Sequence, residues 1–168
     1  MRTFGLIGKN IKYSFSKEYF REKFIREKIY DSEYLNFELQ NINEFKQLVK
    51  EKKVSGLNVT APYKECVIPL LDDLTDEAKI IGAVNTIQVI KKKLVGHNTD
   101  VVGFQKSIKP LILGRKNALI LGDGGAAKAV KYVLKKLNIS YKIVNRKSSF
   151  TYSDITSQSI GFNNIIIN

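Results

Sequence analysis

Hydrophobic residues recur along the chain in two spacings that alternate from one segment to the next. Short runs of strand-forming residues predict strands over 3–7, 34–39, 54–60, 82–90, 117–121, 141–144 and 164–167. Apolar residues at helical spacing predict helices over 17–28, 101–109 and the stretch that ends near 137. The polar stretch 148–163 predicts a loop or a weak helix. Strands that alternate with helices indicate an α/β fold with a mainly parallel sheet.

Polar residues stand where several predicted strands end, which is where open α/β sheets bind their ligands. Ser14 and Ser16 follow the first strand at the start of a helix. One of them can cap that helix, or the two hydroxyls can bind a carboxylate or a diol. Asn58 and Thr60 share one face of the strand over 54–60. We therefore take all four as candidate binding residues.

Lys64 follows Pro62, which ends this strand and is suited to the first turn of a helix. The exposed N–H groups of a helix start disfavour a cation. A partly desolvated lysine in that position gives up its proton readily and can act as a general acid or base. A solvated surface lysine is the ordinary alternative.

The predicted strand over 82–90 returns as a hairpin through the basic turn Lys91-Lys92-Lys93. This hairpin ends in His97-Asn98-Thr99-Asp100. Asn85 and Asp100 are thereby polar residues at the mouth of an apolar region, and Asp100 can cap the helix that follows. No serine or cysteine near His97 suggests a catalytic triad, so we interpret this histidine as structural or peripheral.

A glycine-rich turn, residues 122–127 with the sequence Gly-Asp-Gly-Gly-Ala-Ala, follows the strand over 117–121. It fits G-x-G-x-x-G/A in the strand–turn–helix setting that the motif requires. The glycines let the backbone approach a pyrophosphate, to which the helix start offers N–H donors.

The next strand leads to Asn145, Arg146 and Lys147, at the position where an NAD site would carry an acid. Two cations suit a ribose 2′-phosphate instead. We therefore predict NADP as the cofactor, with an ordinary basic loop as the alternative.

The net charge of +12 raises the possibility of nucleic-acid binding. However, the lysines are spread over predicted helices and turns, without the interleaved aromatic residues of a stacking platform. We therefore expect solvated basic faces and no nucleic-acid partner. One cysteine and one histidine exclude an internal disulfide and argue against a zinc site. Without a membrane-spanning run or a signal-peptide pattern, we expect a cytoplasmic protein and no membrane partner.

Together these segments resemble the shikimate dehydrogenase family, in the family's order over all 168 residues. The likeness is carried by residues 14–16, 58–64, 82–86, 98–100, 122–126 and 145–146. It implies a mixed, mostly parallel βα substrate-binding catalytic domain over 1–101 and an incomplete Rossmann-like NADP-binding domain over 102–168. It also implies a reversible, NADP-dependent oxidation of shikimate to 3-dehydroshikimate in the biosynthesis of aromatic amino acids.

The resemblance further implies roles for individual residues. Lys64 and Asp100 are the implied acid–base pair, and both also belong to the implied substrate site. In that site Ser14 and Ser16 hold the carboxylate, Thr60, Asn85 and Asp100 bind ring hydroxyls, and Asn58 and Thr99 complete the set. The implied cofactor-binding residues are Gly122, Asp123, Gly124, Gly125, Ala126, Asn145, Arg146, Lys147 and Asp76.

The sequence departs from the family in two ways. Asp123 replaces a small residue between the first two glycines, which places an acid near the expected phosphates. Family members are also longer, with further strands and a returning helix that carries a substrate-binding glutamine. We therefore expect these 168 residues to be part of a longer polypeptide and, on their own, to self-associate and to be nearly inactive.

Two alternatives to this function stay open. A quinate/shikimate dehydrogenase with broader substrate use shares the same pocket motifs. A truncated, non-catalytic fragment that binds a ligand or nucleic acid is the second. The sequence is compatible with either a monomer or a homodimer.

Overall fold

The structure, a computed structural model, describes residues 1–147 and 149–168. The first residue of the predicted loop over 148–163 lies outside the described residues. The described chain divides into two compact units, Met1–Asn98 and Thr99–Asn168.

The first unit contains a mixed sheet of six strands together with four short α-helices. The strands are β1 (Arg2–Gly8), β2 (Ser32–Glu38), β3 (Gly56–Val59), β4 (Asp73–Leu74), β5 (Thr86–Ile90) and β6 (Lys93–His97). The helices are α1 (Phe15–Arg26), α2 (Phe45–Lys52), α3 (Tyr63–Cys66) and α4 (Asp76–Ile81), with 3₁₀ turns at Ile42–Glu44 and Ile68–Leu70.

The strand order is β2-β1-β3-β5-β6-β4. β1 is parallel to β2 and β3, β4 is parallel to β6, and β5 is antiparallel to both of its neighbours. The predicted mixed, mostly parallel α/β fold is therefore confirmed.

Alternation along the central strands gives this sheet two different faces. On one face Ile7, Leu57 and Val59 form the main core with Phe45 at the start of α2. On the other face Leu6 and its neighbours form a smaller cluster against the aromatic residues of α1. Asn58 alternates with Leu57 and Val59, so its side chain lies on the α1 face.

The second unit contains a three-stranded parallel sheet. Its strands are β7 (Asn117–Leu121), β8 (Ser140–Val144) and β9 (Ile165–Ile167), in the order β8-β7-β9. Its helices are α5 (Asp100–Ile108), α6 (Gly125–Lys136) and α7 (Ser157–Phe162), with a 3₁₀ turn at Tyr152–Asp154. α6 buries Ala129, Val133 and Leu134, which lie on one side of the helix at helical spacing.

Several predicted element ends were wrong. The strand predicted over 82–90 begins only at Thr86, because Gly82 adopts a φ of +66° and terminates α4. Asp100 does not cap α5 but is its first residue, preceded by Thr99, whose side chain makes no capping hydrogen bond. The two-residue strand β4 carries no hydrophobic pattern and was not predicted.

The predicted hairpin of β5 and β6 is confirmed. Lys91 and Lys92 form its two-residue connection with φ angles of +48° and +67°. Positive φ at both central residues is the signature of a type I′ turn, whose twist matches that of the flanking strands.

The glycine of the central strand offers a test of this packing. Gly5 pairs with both β2 and β3, and a Cβ at this position would lie 2.6 Å from the backbone oxygen of Leu35. Because a backbone oxygen within a sheet cannot move aside, Gly5→Ala should lower the free energy of unfolding by about 1–3 kcal/mol.

Gly103→Ala is the matched control for this prediction. Gly103 lies in α5, where a Cβ meets no atom within 4 Å. Alanine there should raise the free energy of unfolding by about 0.5–1 kcal/mol. Urea unfolding measures both changes, and effects of the same sign and size would contradict the packing described for Gly5.

Candidate functional site

Asn58 links three strands of the first unit through its side-chain amide. Its Oδ1 accepts a hydrogen bond from the Tyr34 hydroxyl at 2.8 Å, and its Nδ2 donates to Thr86 Oγ1 at 3.3 Å. Thr86 Oγ1 in turn donates to Asn85 Oδ1 at 3.1 Å. These hydrogen bonds run from the edge strand β2 across the sheet to Asn85.

Tyr34 is held in place by side chains of α1. Its ring stacks on Phe20 with the ring centroids 4.3 Å apart, and the Ser16 side chain lies near its hydroxyl. Burial raises the pKa of Tyr34 to about 12, and the neighbouring Ser16 hydroxyl opposes that rise. The phenol therefore keeps its proton at neutral pH and stays a donor to Asn58. We call this set the strand-end cluster: Ser16, Tyr34, Asn58, Asn85 and Thr86.

Ser14 caps α1, because its Oγ accepts a hydrogen bond from the Ser16 backbone N–H at 3.3 Å. The capping alternative for this pair of serines therefore applies to Ser14, while Ser16 joins the strand-end cluster. Both residues are half-buried or exposed at the first turn of α1 and lie two positions apart.

Lys64 lies in α3, a helix of only four residues. Its backbone carbonyl accepts a hydrogen bond from the Val84 N–H at 2.7 Å, which fixes α3 beside the segment that carries Asn85. Thr60 directly follows β3, and its N–H donates to the Ile7 carbonyl at 2.9 Å. Because α3 offers a single turn of aligned peptide groups, the electrostatic effect expected from a helix start is weaker than in a long helix.

Three further residues predicted from the family resemblance, Asp76, Thr99 and Asp100, belong to other segments of the chain than the strand-end cluster. Thr99 and Asp100 belong to the second unit, where they precede and begin α5. Asp76 begins α4 in the first unit, with a 98% exposed side chain 4.0 Å from Lys79 Nζ.

The glycine-rich turn of the second unit joins β7 to α6. Gly122 has a φ of +113°, which favours glycine, and its N–H donates to the Val144 carbonyl at the end of β8. A Cβ at Gly122 or Gly124 would meet no atom within 4 Å. Within the described part of the chain no side chain caps α6, whose N-cap is Gly124. The turn thus offers open space beside the backbone N–H groups of a helix start, as a pyrophosphate requires.

A groove of about 830 Å³ opens beside this turn, at the carboxyl ends of β7 and β8. Asn145 shapes one wall, because its Oδ1 accepts a hydrogen bond from the Lys147 N–H at 2.7 Å. Arg146 and Lys147 are exposed and supply positive charge. We call this the β7–β8 groove, and its lining residues are Asp123, Asn145, Arg146, Lys147 and Tyr152.

Asp123, the acid that departs from the glycine motif, forms an ion pair. Its Oδ1 lies 2.6 Å from Lys131 Nζ on α6. The exposed fractions of the Lys131 and Asp123 side chains are 23% and 40%, whereas those of the surface pair Arg2–Asp31 are 55% and 67%. The carboxylate therefore has a partly buried counterion within its own unit.

Sequence reasoning missed three residues of these sites. Tyr34 and Thr86 follow the alternation of ordinary strand residues, so only the three-dimensional register reveals their hydrogen bonds to Asn58. Tyr152 lies in a polar stretch that showed no pattern, yet it lines the β7–β8 groove. Among the residues that the structure describes, no group of three or more His, Cys, Asp or Glu side chains could hold a metal ion, and no helix is long and apolar enough to span a membrane.

Comparison with known proteins gives a family match within the first unit. Residues 6–87 match the family described as the shikimate dehydrogenase substrate binding domain. The NADP(+)-dependent shikimate dehydrogenase of Clostridium botulinum strain Hall is 42% identical over 141 residues, covering 82% of this chain and 55% of that enzyme. The chain spans about half the length of the curated relatives that it matches.

Solved structures show the same likeness. Shikimate dehydrogenase 1 of Peptoclostridium difficile superposes with a TM-score of 0.81 at 34% identity, covering 99% of this chain and 60% of that one. The Thermus thermophilus shikimate 5-dehydrogenase, solved in complex with NADP(H) and shikimate, gives a TM-score of 0.75 at 26% identity, with 100% and 63% covered.

The fold is that of an α/β protein in which a mixed-sheet unit is followed by a parallel β–α–β unit with a glycine-rich turn, the arrangement typical of dinucleotide-binding folds. The domain match, the sequence identities and the superpositions identify the family within that class. The chain belongs to the shikimate dehydrogenase family.

The raised pKa of Tyr34 predicts how stability depends on pH. Its ordinary pKa is 10.0 and its folded pKa is about 12, so its contribution to stability is complete below pH 10 and is lost as the pH rises from 10 to 12. Over that range the wild type should lose up to about 2 kcal/mol of unfolding free energy relative to Tyr34→Phe.

Urea unfolding at a series of pH values measures this difference. Tyr30→Phe is the control, because it removes the same hydroxyl group from a tyrosine that is 79% exposed. A constant gap between wild type and Tyr34→Phe across the range would show that Tyr34 titrates normally.

Proposed function

We propose that this chain takes part in the NADP-dependent, reversible oxidation of shikimate to 3-dehydroshikimate in aromatic amino acid biosynthesis. The observation that carries the proposal is the strand-end cluster, in which hydrogen bonds join Tyr34, Asn58, Thr86 and Asn85, and the Ser16 side chain lies near the Tyr34 hydroxyl. A small polyhydroxylated acid needs several fixed donors and acceptors, and this cluster supplies them on one face of a rigid sheet.

In this proposal Ser14 and Ser16 hold the substrate carboxylate at the first turn of α1. Asn58, Thr60 and Asn85 bind ring hydroxyls. The hydrogen bonds from Tyr34 and to Thr86 fix the amide orientation of Asn58, so the ligand meets an amide that is already oriented. Thr99 is proposed as a further substrate-binding residue on the family resemblance.

Lys64 is the proposed proton acceptor for the hydroxyl that is oxidised, and the proton donor in the reverse reaction. The hydrogen bond between its backbone carbonyl and Val84 holds it beside the segment of Asn85. Asp100 is proposed as the second acid–base residue and as a ligand of a ring hydroxyl, on the family resemblance. An amine and a carboxylate are suited to this role, because proton transfer at a hydroxyl needs a base and a group that stabilises the charge formed.

The β7–β8 groove is the proposed NADP site, and its residues fit the cofactor. Gly124, Gly125 and Ala126 lie at the start of α6, whose N–H groups would bind the pyrophosphate, and Gly122 and Gly124 leave open space beside them. Asn145, Arg146 and Lys147 lie where the adenosine phosphate would need cations and hydrogen-bond donors. Asp123 lines the same groove, and Asp76 is proposed as a cofactor contact on the family resemblance. NADP would supply the hydride acceptor for shikimate oxidation.

One assay separates this proposal from its alternatives. Purified protein is incubated with NADP⁺ and either shikimate or quinate, and NADPH formation is followed. Turnover of shikimate alone supports the proposal, and turnover of both substrates favours a broader quinate/shikimate dehydrogenase. Shikimate binding without NADPH formation would mark a non-catalytic fragment. Absence of binding to shikimate, quinate and NADP⁺ would overturn the assignment.

The proposed acid–base role of Lys64 predicts a specific kinetic effect. Made in a full-length version of the protein, Lys64→Ala should lower turnover by roughly 10²–10⁴-fold, the usual contribution of general acid–base catalysis. Shikimate binding, measured by calorimetry, should change much less. Lys52→Ala, an exposed position at the end of α2, is the control and should leave both unchanged. Near-normal turnover of Lys64→Ala would remove this residue from the mechanism.

The proposed phosphate contact of Arg146 predicts the choice of cofactor. Arg146→Asp removes a partner of the 2′-phosphate and adds an acceptor for a ribose hydroxyl, so the preference should shift from NADP toward NAD. Each charge-assisted hydrogen bond lost should cost on the order of 1.5–3 kcal/mol. Affinities for NADP⁺ and NAD⁺ measure this shift directly.

Lys92→Asp is the matched control for cofactor choice. It changes the net charge equally, but it lies in the β5–β6 hairpin of the first unit. If Arg146→Asp keeps the wild-type ratio of affinities, or if both variants alter it alike, Arg146 does not discriminate between the cofactors.

A further inference from the structure

Asp123 presents an electrostatic problem for a phosphate-binding turn. It lies between Gly122 and Gly124 and lines the β7–β8 groove. A carboxylate beside a pyrophosphate repels it, and at short range in a partly desolvated site this repulsion is worth several-fold to many-fold in affinity. A carboxylate next to a helix start can also accept hydrogen bonds from the first N–H groups, the same donors that a pyrophosphate would use.

In the structure, both the repulsion of a pyrophosphate by Asp123 and its competition for the N–H groups of α6 are limited. Its carboxylate does not cap α6 and so leaves the first N–H groups of that helix open. Instead it pairs with Lys131 at 2.6 Å. Lys131 lies well beyond Gly125, about 9 Å along the helix axis at roughly 1.5 Å per residue. The ion pair therefore gives the carboxylate a counterion from a residue beyond the first turn of α6.

We propose that Lys131 is a positioning residue of the cofactor site, which holds Asp123 away from the helix start and neutralises its charge. The inference rests on the proposed NADP site. Lys131 acts through Asp123 rather than by touching the ligand, and its effect on NADP⁺ affinity depends on the presence of the acid. The glycine turn tolerates an acid at this position because α6 carries a cation further along the same helix.

A double-mutant cycle tests this dependence through binding alone. NADP⁺ affinity is measured by calorimetry for the wild type, Lys131→Gln, Asp123→Asn and the double variant. Lys131→Gln should bind NADP⁺ roughly tenfold more weakly, because the freed carboxylate repels the phosphates and competes for the helix N–H groups. The double variant should bind roughly tenfold more tightly than Lys131→Gln, since no carboxylate remains.

Two further measurements separate this role from a structural one. Lys135→Gln removes a cation from the same helix at an exposed position and should leave NADP⁺ affinity unchanged. Thermal melting of all variants without ligand reports any loss of stability. If Lys131→Gln weakened binding only by loosening α6, adding Asp123→Asn would not restore it, and the inference would be overturned.

The outcomes distinguish the inference from the proposed function. A wild type that does not bind NADP⁺ refutes the cofactor site and the inference together. A wild type that binds NADP⁺ while Lys131→Gln binds equally well refutes the inference alone. Weakened binding by Lys131→Gln with recovery in the double variant supports both.

Discussion

The central constraint in the first unit is the hydrogen bonding of one side-chain amide, that of Asn58, on a face of the sheet. Asn58 is half-buried on the face opposite to Leu57 and Val59, and a partly desolvated amide is more favourable when both of its ends are hydrogen-bonded. Tyr34 supplies the donor from the edge strand, and Thr86 supplies the acceptor from the hairpin. Because one amide connects β2, β3 and β5, the arrangement of the candidate substrate site depends on the register of the sheet.

In the second unit, by contrast, a group of hydrogen-bond donors is left without a side-chain partner among the described residues. Its glycine turn leaves the first N–H groups of α6 without a side-chain cap from the described residues, and its groove gathers exposed cations. Positive charge and open donors in one place favour an anion. The acid that enters this environment, Asp123, has its own counterion in Lys131. The +12 net charge of the chain is thus accompanied by a local arrangement that preserves an anion site.

The sequence was sufficient for the features that local patterns determine. β7 and its glycine turn follow from a run of apolar residues and a motif, and the β5–β6 hairpin follows from two alternating runs around a basic turn. Tyr34 was missed as a site residue because its ring packs like any core aromatic, and only register brings its hydroxyl to Asn58. The prediction of Asp100 as a cap was wrong because it followed the general preference of aspartate for caps, whereas the structure begins α5 with this residue.

These two arrangements imply different behaviour before a ligand arrives. In the strand-end cluster the donors and acceptors already satisfy one another, so the orientation of Asn58 is set in the folded protein and substrate binding needs little reorganisation. In the glycine turn the described residues offer the donors at the start of α6 no side-chain cap, so an anion would complete hydrogen bonds that the folded chain leaves to solvent. In the proposed sites, selectivity for the substrate would therefore come from a preformed network. Affinity for the cofactor would come from charge and open backbone, and this is the reason that the proposed role of Lys131 is to neutralise the single acid within that turn.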